Sequence, residues 1–404
     1  MDKGPDPIPR PHLALAALAA GAFVVGMDML AVIGALNETA HGLVISPRQA
    51  GWIVSVYALF YALFAPVNAL LFRQSGRRSL LLLAIFLSIV GNLACSVGTS
   101  LAAIMAGRLV AAFGGAMFLP TAGTVAQDVI PAGQKGRGLA GLYAGITLAQ
   151  AVGAPLTTLL AQVAGWRYSF VAVALFGCLA MALLAAGTKA LPERAPATHA
   201  IAWRLNTAVP IAGLLATTFL ITAADYVVYS YISVIFEPAR LGDKPALPMM
   251  LAAFGCGGII GTIATGLLTD RLGPRLVLTT AVTVQTALLV IIVLWRGSGL
   301  ATILLGFCWG VTSYMYLVPI QHSLLDRAGT AQRLLLALNG SLVNVGIAVG
   351  TTIGGLTIDH GSAPIMAMVA ALISAAALVA GSLFVPGRRS ICGPTKLCQP
   401  AIAE

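Results

Sequence analysis

Two carboxylates lie inside long apolar stretches of this 404-residue chain. Asp28 interrupts the run FVVGMDMLAVIGAL, and Asp225 lies in the run ITAADYVVYSYISVIF. An ionised acid in a bilayer-spanning helix costs about 2.5 to 3.5 kcal/mol even on lenient insertion scales, so such a residue usually faces a protein interior or a wet cavity. The two acids therefore predict proton or cation handling, and a fixed salt bridge is the structural alternative.

An internal repeat relates the two acids. The basic turn RQSGRR and the turn in TDRLGPR align when Gly76 is placed on Gly273, an offset of 197 residues. The same offset pairs Gly153 with Gly350 and Asp28 with Asp225. A duplicated membrane architecture is expected to hold its substrate site at the interface of the repeats, near mid-membrane.

Arg108 is a third charge within an apolar stretch, GRLVAAFGGAMFLPTAG. Arginine keeps its charge in proteins, so Arg108 is predicted to be either the counter-ion of a carboxylate or a clamp for an anionic substrate. Asp28 is its natural partner. The predicted proton-coupling residues are thus Asp28, Asp225 and Arg108.

Aromatic and amide side chains near these charges are the predicted substrate contacts. Tyrosine and tryptophan offer apolar rings with hydrogen-bonding tips, which suit a mixed apolar and polar ligand. Tyr229 shares a helix face with Asp225 at i and i+4, which makes it the best aromatic candidate. Amides such as Asn339 either join helices or contact substrate. The candidate contacts are Tyr229, Tyr226, Tyr231, Gln150, Asn344, Tyr314 and Trp309.

The composition indicates which elements position these residues. Hydrophobic residues make up 59% of the chain and charged residues 9%, against about 25% charged in a soluble domain. Apolar runs of about 20 residues predict an all-α membrane protein with twelve transmembrane helices. They lie near 13–36, 50–72, 79–97, 102–127, 138–161, 168–187, 208–236, 246–269, 276–295, 299–322, 334–357 and 363–385.

Two six-helix bundles, residues 13–188 and 208–386, are therefore predicted around a cytoplasmic linker, residues 189–207. Residues 1–12 and 387–404 are the predicted cytoplasmic tails. Most of the 23 Lys and Arg fall in segments that are cytoplasmic if both termini are inside, as the positive-inside rule requires. A multi-pass protein of a bacterial cytoplasmic membrane is expected.

Several other classes are disfavoured by the sequence. The net charge of +10 is scattered through loops, so it favours membrane orientation over nucleic-acid binding. The six Cys and five His have no metal or disulfide spacing. The absence of a phosphate-binding loop and of a Ser/His/Asp signature argues against direct ATP drive and against an enzyme. We expect no cofactor, and we expect the protein to be a monomer.

The motifs resemble those of the major facilitator superfamily, and within it the drug:proton antiporter branch. Gly266, Asp270, Arg271, Gly273 and Arg275 fit the loop signature G-x-x-x-D-R-x-G-x-R. The efflux-branch pattern of an acid, an Ala-Leu pair and W-x-x-x-x-Y is matched by Asp28, Ala35, Leu36, Trp52 and Tyr57, and the antiporter signature is matched by Gly145, Gly153 and Pro155.

Three positions depart from the family patterns. Arg73 stands where the first-half loop has its acid, Asn37 replaces the Pro after Ala-Leu, and Ala154 separates Gly153 from Pro155. The resemblance implies two halves that rock about a central site. The residues it assigns to conformational gating are Arg73, Gly76, Arg77, Arg78, Asp270, Arg271, Gly273, Arg275, Gly153 and Pro155.

These observations predict a secondary transporter that exports a small organic molecule in exchange for protons by alternating access. Its partners are the substrate, protons and the bilayer. Proton-coupled uptake or sugar-type transport on the same fold is the first alternative, and a non-transporting receptor or scaffold is the second. Because Arg73 adds positive charge beside Arg77 and Arg78, the resting equilibrium is expected to lean inward-open.

Overall fold

A computed structural model describes residues 11–72, 75–129, 135–189, 205–295, 297, 299–328, 332–359 and 363–386. Within these residues, twelve helical segments are long and apolar enough to cross a membrane. The predicted all-α fold with twelve spans is confirmed. Most of the predicted linker and both predicted tails lie outside the described residues.

The N-terminal half contains six spans formed by eight α-helices and one π-helical turn. The π-turn, Ala149–Gly153, interrupts the fifth span. The α-helices are α1 Pro11–Leu30, α2 Leu36–Leu43, α3 Pro47–Leu71, α4 Arg77–Val97, α5 Leu101–Asp128, α6 Lys135–Leu148, α7 Ala154–Val163 and α8 Arg167–Gly187.

The C-terminal half repeats this pattern. A two-stranded antiparallel ribbon, β1 Arg240–Leu241 and β2 Lys244–Pro245, connects its first two spans. Its helices are α9 Leu205–Tyr229, α10 Ile232–Ile235, α11 Leu247–Leu272, α12 Pro274–Leu294, α13 Leu300–Tyr314, α14 Leu317–Ala328, α15 Gln332–Asp359 and α16 Ala363–Phe384.

Three predicted helices are broken where the sequence indicated one continuous run. The first ends at Leu30, and the residues that follow as far as Ala35 form turns before α2. Tyr231 lies in the turn between α9 and α10, and α13 ends at Tyr314 before α14 begins. The turns are apolar because tertiary packing buries them, so hydrophobicity there reports burial and not helix continuity.

The two halves share a hydrophobic core at only one end of the bundle within the described residues. We call this the α2 end, and it comprises residues 30–47 and 229–251. Its cluster joins N-terminal residues such as Ile33 and Leu36 with C-terminal residues such as Tyr231, Phe236 and Leu247. Three further clusters each contain residues of a single half.

Short contacts between the halves also lie toward the α2 end. The backbone N–H of Asn37 donates to Ser233 Oγ at 3.2 Å, and Ser55 Oγ donates to the carbonyl of Ala348 at 3.2 Å. Gly255 of α11 lies against the main chain of Ala151 in the π-turn. The protein is therefore closed at the α2 end, which the charge distribution predicts to be the outer end.

Candidate functional site

Asp28 forms a buried ion pair with Arg108. Nη1 of Arg108 donates to Asp28 Oδ1 at 2.7 Å and to the Asp28 carbonyl at 2.8 Å. Ser88 Oγ donates to the other carboxylate oxygen, Oδ2, at 2.8 Å. Both charged side chains are fully buried. The carboxylate is held by α4 and α5 of its own half, and it does not face lipid.

Arg108 has donors that the pair does not use. Its Nε and Nη2 are buried and have no hydrogen-bond partner among the described residues, and the same holds for the hydroxyl of Tyr57. The guanidinium carbon lies 4.0 Å from the centre of the Tyr57 ring, a cation–π contact. Because unmatched buried donors are costly, this side of Arg108 suits an acceptor supplied by water or by a ligand.

Asp225 has a different environment. Its Oδ1 accepts hydrogen bonds from Trp309 Nε1 at 2.6 Å, Gln285 Nε2 at 2.9 Å and Ser313 Oγ at 3.1 Å. The residue is 8% exposed, and no cationic side chain pairs with it in the described part of the chain. The three bonds converge on one oxygen, which leaves Oδ2 available to a donor from a ligand.

The repeat extends to the partners of the two acids. Ser88 and Gln285 are related by the same offset of 197 residues, and each lies 60 residues after its acid. The equivalent helices α4 and α12 thus each donate to an intramembrane carboxylate. The symmetry ends at α5 and α13: the offset places Leu305 opposite Arg108, and the α13 donor to Asp225 is the neutral indole of Trp309, four residues further along.

A cluster of aromatic rings lies beside Asp225. Tyr229 stacks on Phe254 with ring centres 4.8 Å apart, and the edge of Trp309 approaches Tyr229 at 5.5 Å. Tyr226 packs 5.4 Å from Tyr229, and Tyr314 packs 6.2 Å from Phe254. Trp309 belongs to the cluster and also donates to Asp225, so it couples the carboxylate to the ring surface. Four of the five rings are predicted contacts; Phe254 is the one that sequence reasoning missed.

The other predicted contacts separate into different environments. Tyr231 donates to the carbonyl of Thr351 at 3.0 Å and lies beside Gly51 of the other half, so it packs the α2 end and is not part of the aromatic cluster. Gln150 lies in the π-turn with a buried Oε1 that has no partner among the described residues. Asn344 donates to the carbonyl of Gly340 in its own helix at 3.1 Å.

The predicted gating residues that the structure describes lie at the opposite end of the bundle or beside the π-turn. Arg73 is outside the described residues, as is the side chain of Asp270. Gly273 joins α11 to α12 at φ +87°, a conformation that favours glycine, and Gly76 precedes α4. Gly153 ends the π-turn, and Pro155 lies in the first turn of α7. The exposed Arg78 donates to the carbonyl of Ala185 at 3.3 Å, Arg77 begins α4, and Arg271 and Arg275 are exposed near Gly273.

Comparison with known proteins identifies relatives over nearly the whole chain. The family model described as Major Facilitator Superfamily matches residues 18–334 and 218–391. The putative transporter AraJ of Escherichia coli (strain K12) is 29% identical over 363 residues, covering 89% of this chain and 91% of the relative. The inner membrane transport protein YdhP of the same strain is 28% identical over 366 residues, covering 88% and 92%.

The uncharacterized MFS-type transporter YtbD of Bacillus subtilis (strain 168) is 28% identical over 359 residues, which cover 86% of this chain and 88% of the relative. Among solved structures, a peptide transporter POT with bound sulfate aligns with a TM-score of 0.74 at 13% identity, over 93% of this chain and 94% of the other. A bacterial homologue of the lysosomal transporter Spinster, inward-facing and unoccupied, aligns with a TM-score of 0.67 at 15% identity, over 93% and 95%. Identities this low establish the fold alone.

Proposed function

Because this chain belongs to the Major Facilitator Superfamily and its relatives are named transporters, we propose that it exports a small organic molecule in exchange for protons. It is a multi-pass membrane transporter and not an enzyme. The finer proposal, which concerns the direction of transport and the coupling ion, depends on the two acids and their different partners.

The observation that carries the proposal is the buried Asp28–Arg108 pair. Removing one charge from such a pair leaves the other uncompensated, which is strongly unfavourable. Protonation of Asp28 would therefore remove the negative charge that compensates Arg108, and the guanidinium would need another acceptor. Its Nε and Nη2 already have no partners among the described residues. Proton loading and rearrangement of α1 against α5 are coupled in this way.

The substrate is proposed to bind on the Asp225 side. The aromatic cluster supplies ring surface, and the free Oδ2 of Asp225 offers an acceptor to a ligand donor. A ligand with an apolar or aromatic body and a hydrogen-bond donor fits both features. The halves would exchange access around this site, with Asp28 carrying the proton in the opposite direction.

The gate at the end bearing Arg77 is proposed to rest on Asp270, because Arg73 occupies the place of the first-half acid. This arrangement favours closure at the α2 end. On this proposal, neutralising Asp270 further favours the inward-open state. Spin-label distances between the Arg77-end termini of α3 and α15 measure that shift, and unchanged distances would mean that packing alone holds this gate.

The proposal is tested by proton flux in inside-out vesicles screened with cationic, neutral and anionic compounds. An exported compound is expected to release protons from the acidified lumen, and Asp28→Asn is expected to abolish that release. Proton movement in the same direction as the compound would instead support the uptake alternative. Binding of a compound with no movement of either species would support a receptor.

A further inference from the structure

A polar pocket lies between the two halves at the α2 end, and the proton and substrate sites above do not use it. It encloses about 230 Å³. Asn37, Glu38 and His41 of α2 and Gln162 of α7 form its N-terminal wall. The C-terminal wall comes from the segment that follows Ile232, so the pocket is complete only when the halves meet at this end.

The N-terminal wall presents polar atoms that nothing described in the protein satisfies. Glu38 Oε2 and Gln162 Oε1 are buried without a hydrogen-bond partner among the described residues. Asn37 is 7% exposed; its backbone N–H donates to Ser233, but its side-chain amide makes no hydrogen bond in the described part of the chain. Buried polar groups are normally paired, so two unmatched buried oxygens facing one pocket indicate a site built for a ligand.

The charges favour a cation. Burial raises the pKa of Glu38 above its ordinary value; the nearby Glu237 adds to this rise, while a backbone hydrogen bond and His41 oppose it. Arg240 also lines the pocket, but its Nη1 donates to the carbonyls of Glu237 at 2.8 Å and Ala239 at 3.4 Å. Among the described residues Glu38 Oε2 accepts no hydrogen bond, from Arg240 or from any other side chain, and a bound cation would offset the cost of burying the carboxylate.

The side chains that line the site favour an organic cation over a metal ion. Among the described residues no group of three His, Cys, Asp or Glu side chains is arranged to hold a metal. Phe236 and Leu247, which are 3% and 2% exposed, contribute apolar wall beside the polar groups. A protonated amine with a short alkyl or aryl body satisfies the carboxylate, the amides and this apolar wall together.

We propose that this pocket binds a small organic ammonium ion, with its nitrogen at Glu38 and its apolar body against Phe236 and Leu247, and that the bound ion holds the α2 end closed. The binding claim is independent of proton-coupled export. The locking claim follows because a ligand shifts an equilibrium toward the state for which it has the higher affinity, and both halves form this pocket. The lock rests on the alternating access of the proposed function.

Binding is tested by calorimetry on the purified full-length protein with benzylammonium as the probe and benzyl alcohol as its neutral analogue. Saturable binding of benzylammonium alone is expected. Glu38→Gln should weaken it by at least about tenfold, because a charge-assisted hydrogen bond is lost. Asp243→Asn is the matched control, since it removes the same charge from an exposed residue at the same end, and it should leave the affinity unchanged.

Two outcomes would overturn the binding claim. The first is equal affinity in Glu38→Gln and the unmodified protein. The second is loss of binding in Asp225→Asn together with retention in Glu38→Gln, which would assign the probe to the aromatic cluster. If Glu38→Gln does not fold, Gln162→Met provides a second test, because it keeps the side-chain size and removes the free amide; unchanged affinity there would equally contradict the claim.

The lock is tested by spin labels at Val44→Cys and Lys244→Cys in a background with the native cysteines replaced. Both positions are exposed, one in each half at the α2 end. Benzylammonium is expected to increase the population with the short distance between the two labels at the expense of the long one. Glu38→Gln should abolish that effect. A distribution that does not change while calorimetry reports binding would reject the lock and retain the site.

Discussion

Closure of the α2 end depends on Gly255, and Gly255→Ala should open it. Gly255 lies where α11 crosses the π-turn of the other half. An added Cβ would lie 2.6 Å from the backbone nitrogen of Ala151 and 2.7 Å from the carbonyl carbon of Gln150. These neighbours are main-chain atoms, which cannot rotate away as the end of a flexible side chain can.

The size of the effect follows from that overlap. Carbon contacts are optimal at about 3.5 to 4.0 Å, so the two segments must separate by about 1 Å. Overpacking of this kind costs about 1 to 3 kcal/mol. Applied to one of two conformations, this cost shifts their equilibrium by about 5- to 150-fold. The same methyl group should cost little in a state in which α11 and the π-turn are apart.

Spin labels at Val44→Cys and Lys244→Cys again report the opening, as growth of a long-distance component in Gly255→Ala. Gly340→Ala is the matched control, because an added Cβ at Gly340 in α15 meets nothing within 4 Å. It should leave the distances unchanged. Unaltered distances in Gly255→Ala, with the protein folded, would refute the reasoning that this crossing holds the end closed.

Four further predictions concern the charged groups. Asp28→Asn should abolish transport driven by a pH gradient while folded protein remains in the membrane, because the amide keeps the shape but exchanges no proton; unchanged coupled flux would move the coupling elsewhere. Trp309→Phe removes one of the three hydrogen bonds to Asp225. A hydrogen bond to a charged group contributes about 1.5 to 3 kcal/mol, so the substrate should bind about tenfold more weakly or worse. An unchanged dissociation constant for the substrate would show that the Trp309–Asp225 hydrogen bond does not support binding. Burial raises the pKa of Glu38 above 4.5, so the contribution of Glu38 to stability is present below pH 4.5 and is lost as the pH rises through its folded-state pKa. Between pH 4.5 and 7.5 the melting temperature of Glu38→Gln should therefore fall less than that of the unmodified protein. An identical fall in the two proteins would contradict this. Arg73→Asp should shift the population outward, as measured by spin-label distances between the Arg77-end termini of α3 and α15, and no shift would remove Arg73 from the gate.

The twelve spans could be predicted from the sequence because apolar runs of bilayer length are a strong signal. The helix breaks could not. Val32 and Ile33 are as apolar as helix residues, but they form turns that pack in the core between the halves. The π-turn around Gln150 likewise has no compositional signal, although Gly153 and Pro155 mark its end.

Part of the candidate site could be predicted because charged residues within apolar stretches need partners. Asp28 and Arg108 are the charges buried deep in the first half, and the structure joins them. Ser88 and Gln285 were missed, although the same offset that pairs the acids also relates them. Phe254 was missed because one aromatic residue in an apolar helix carries no sequence signal; only packing brings it against Tyr229.

The central claim is that a proton moves against the substrate through Asp28. Its most direct test reconstitutes the protein in liposomes with an imposed pH gradient and records proton and substrate movement together, for a compound found in the vesicle screen. We expect counter-directional movement of the two species in the unmodified protein, and in Asp28→Asn no substrate accumulation above equilibrium. Movement of both species in the same direction, or coupled accumulation that survives Asp28→Asn, would contradict it.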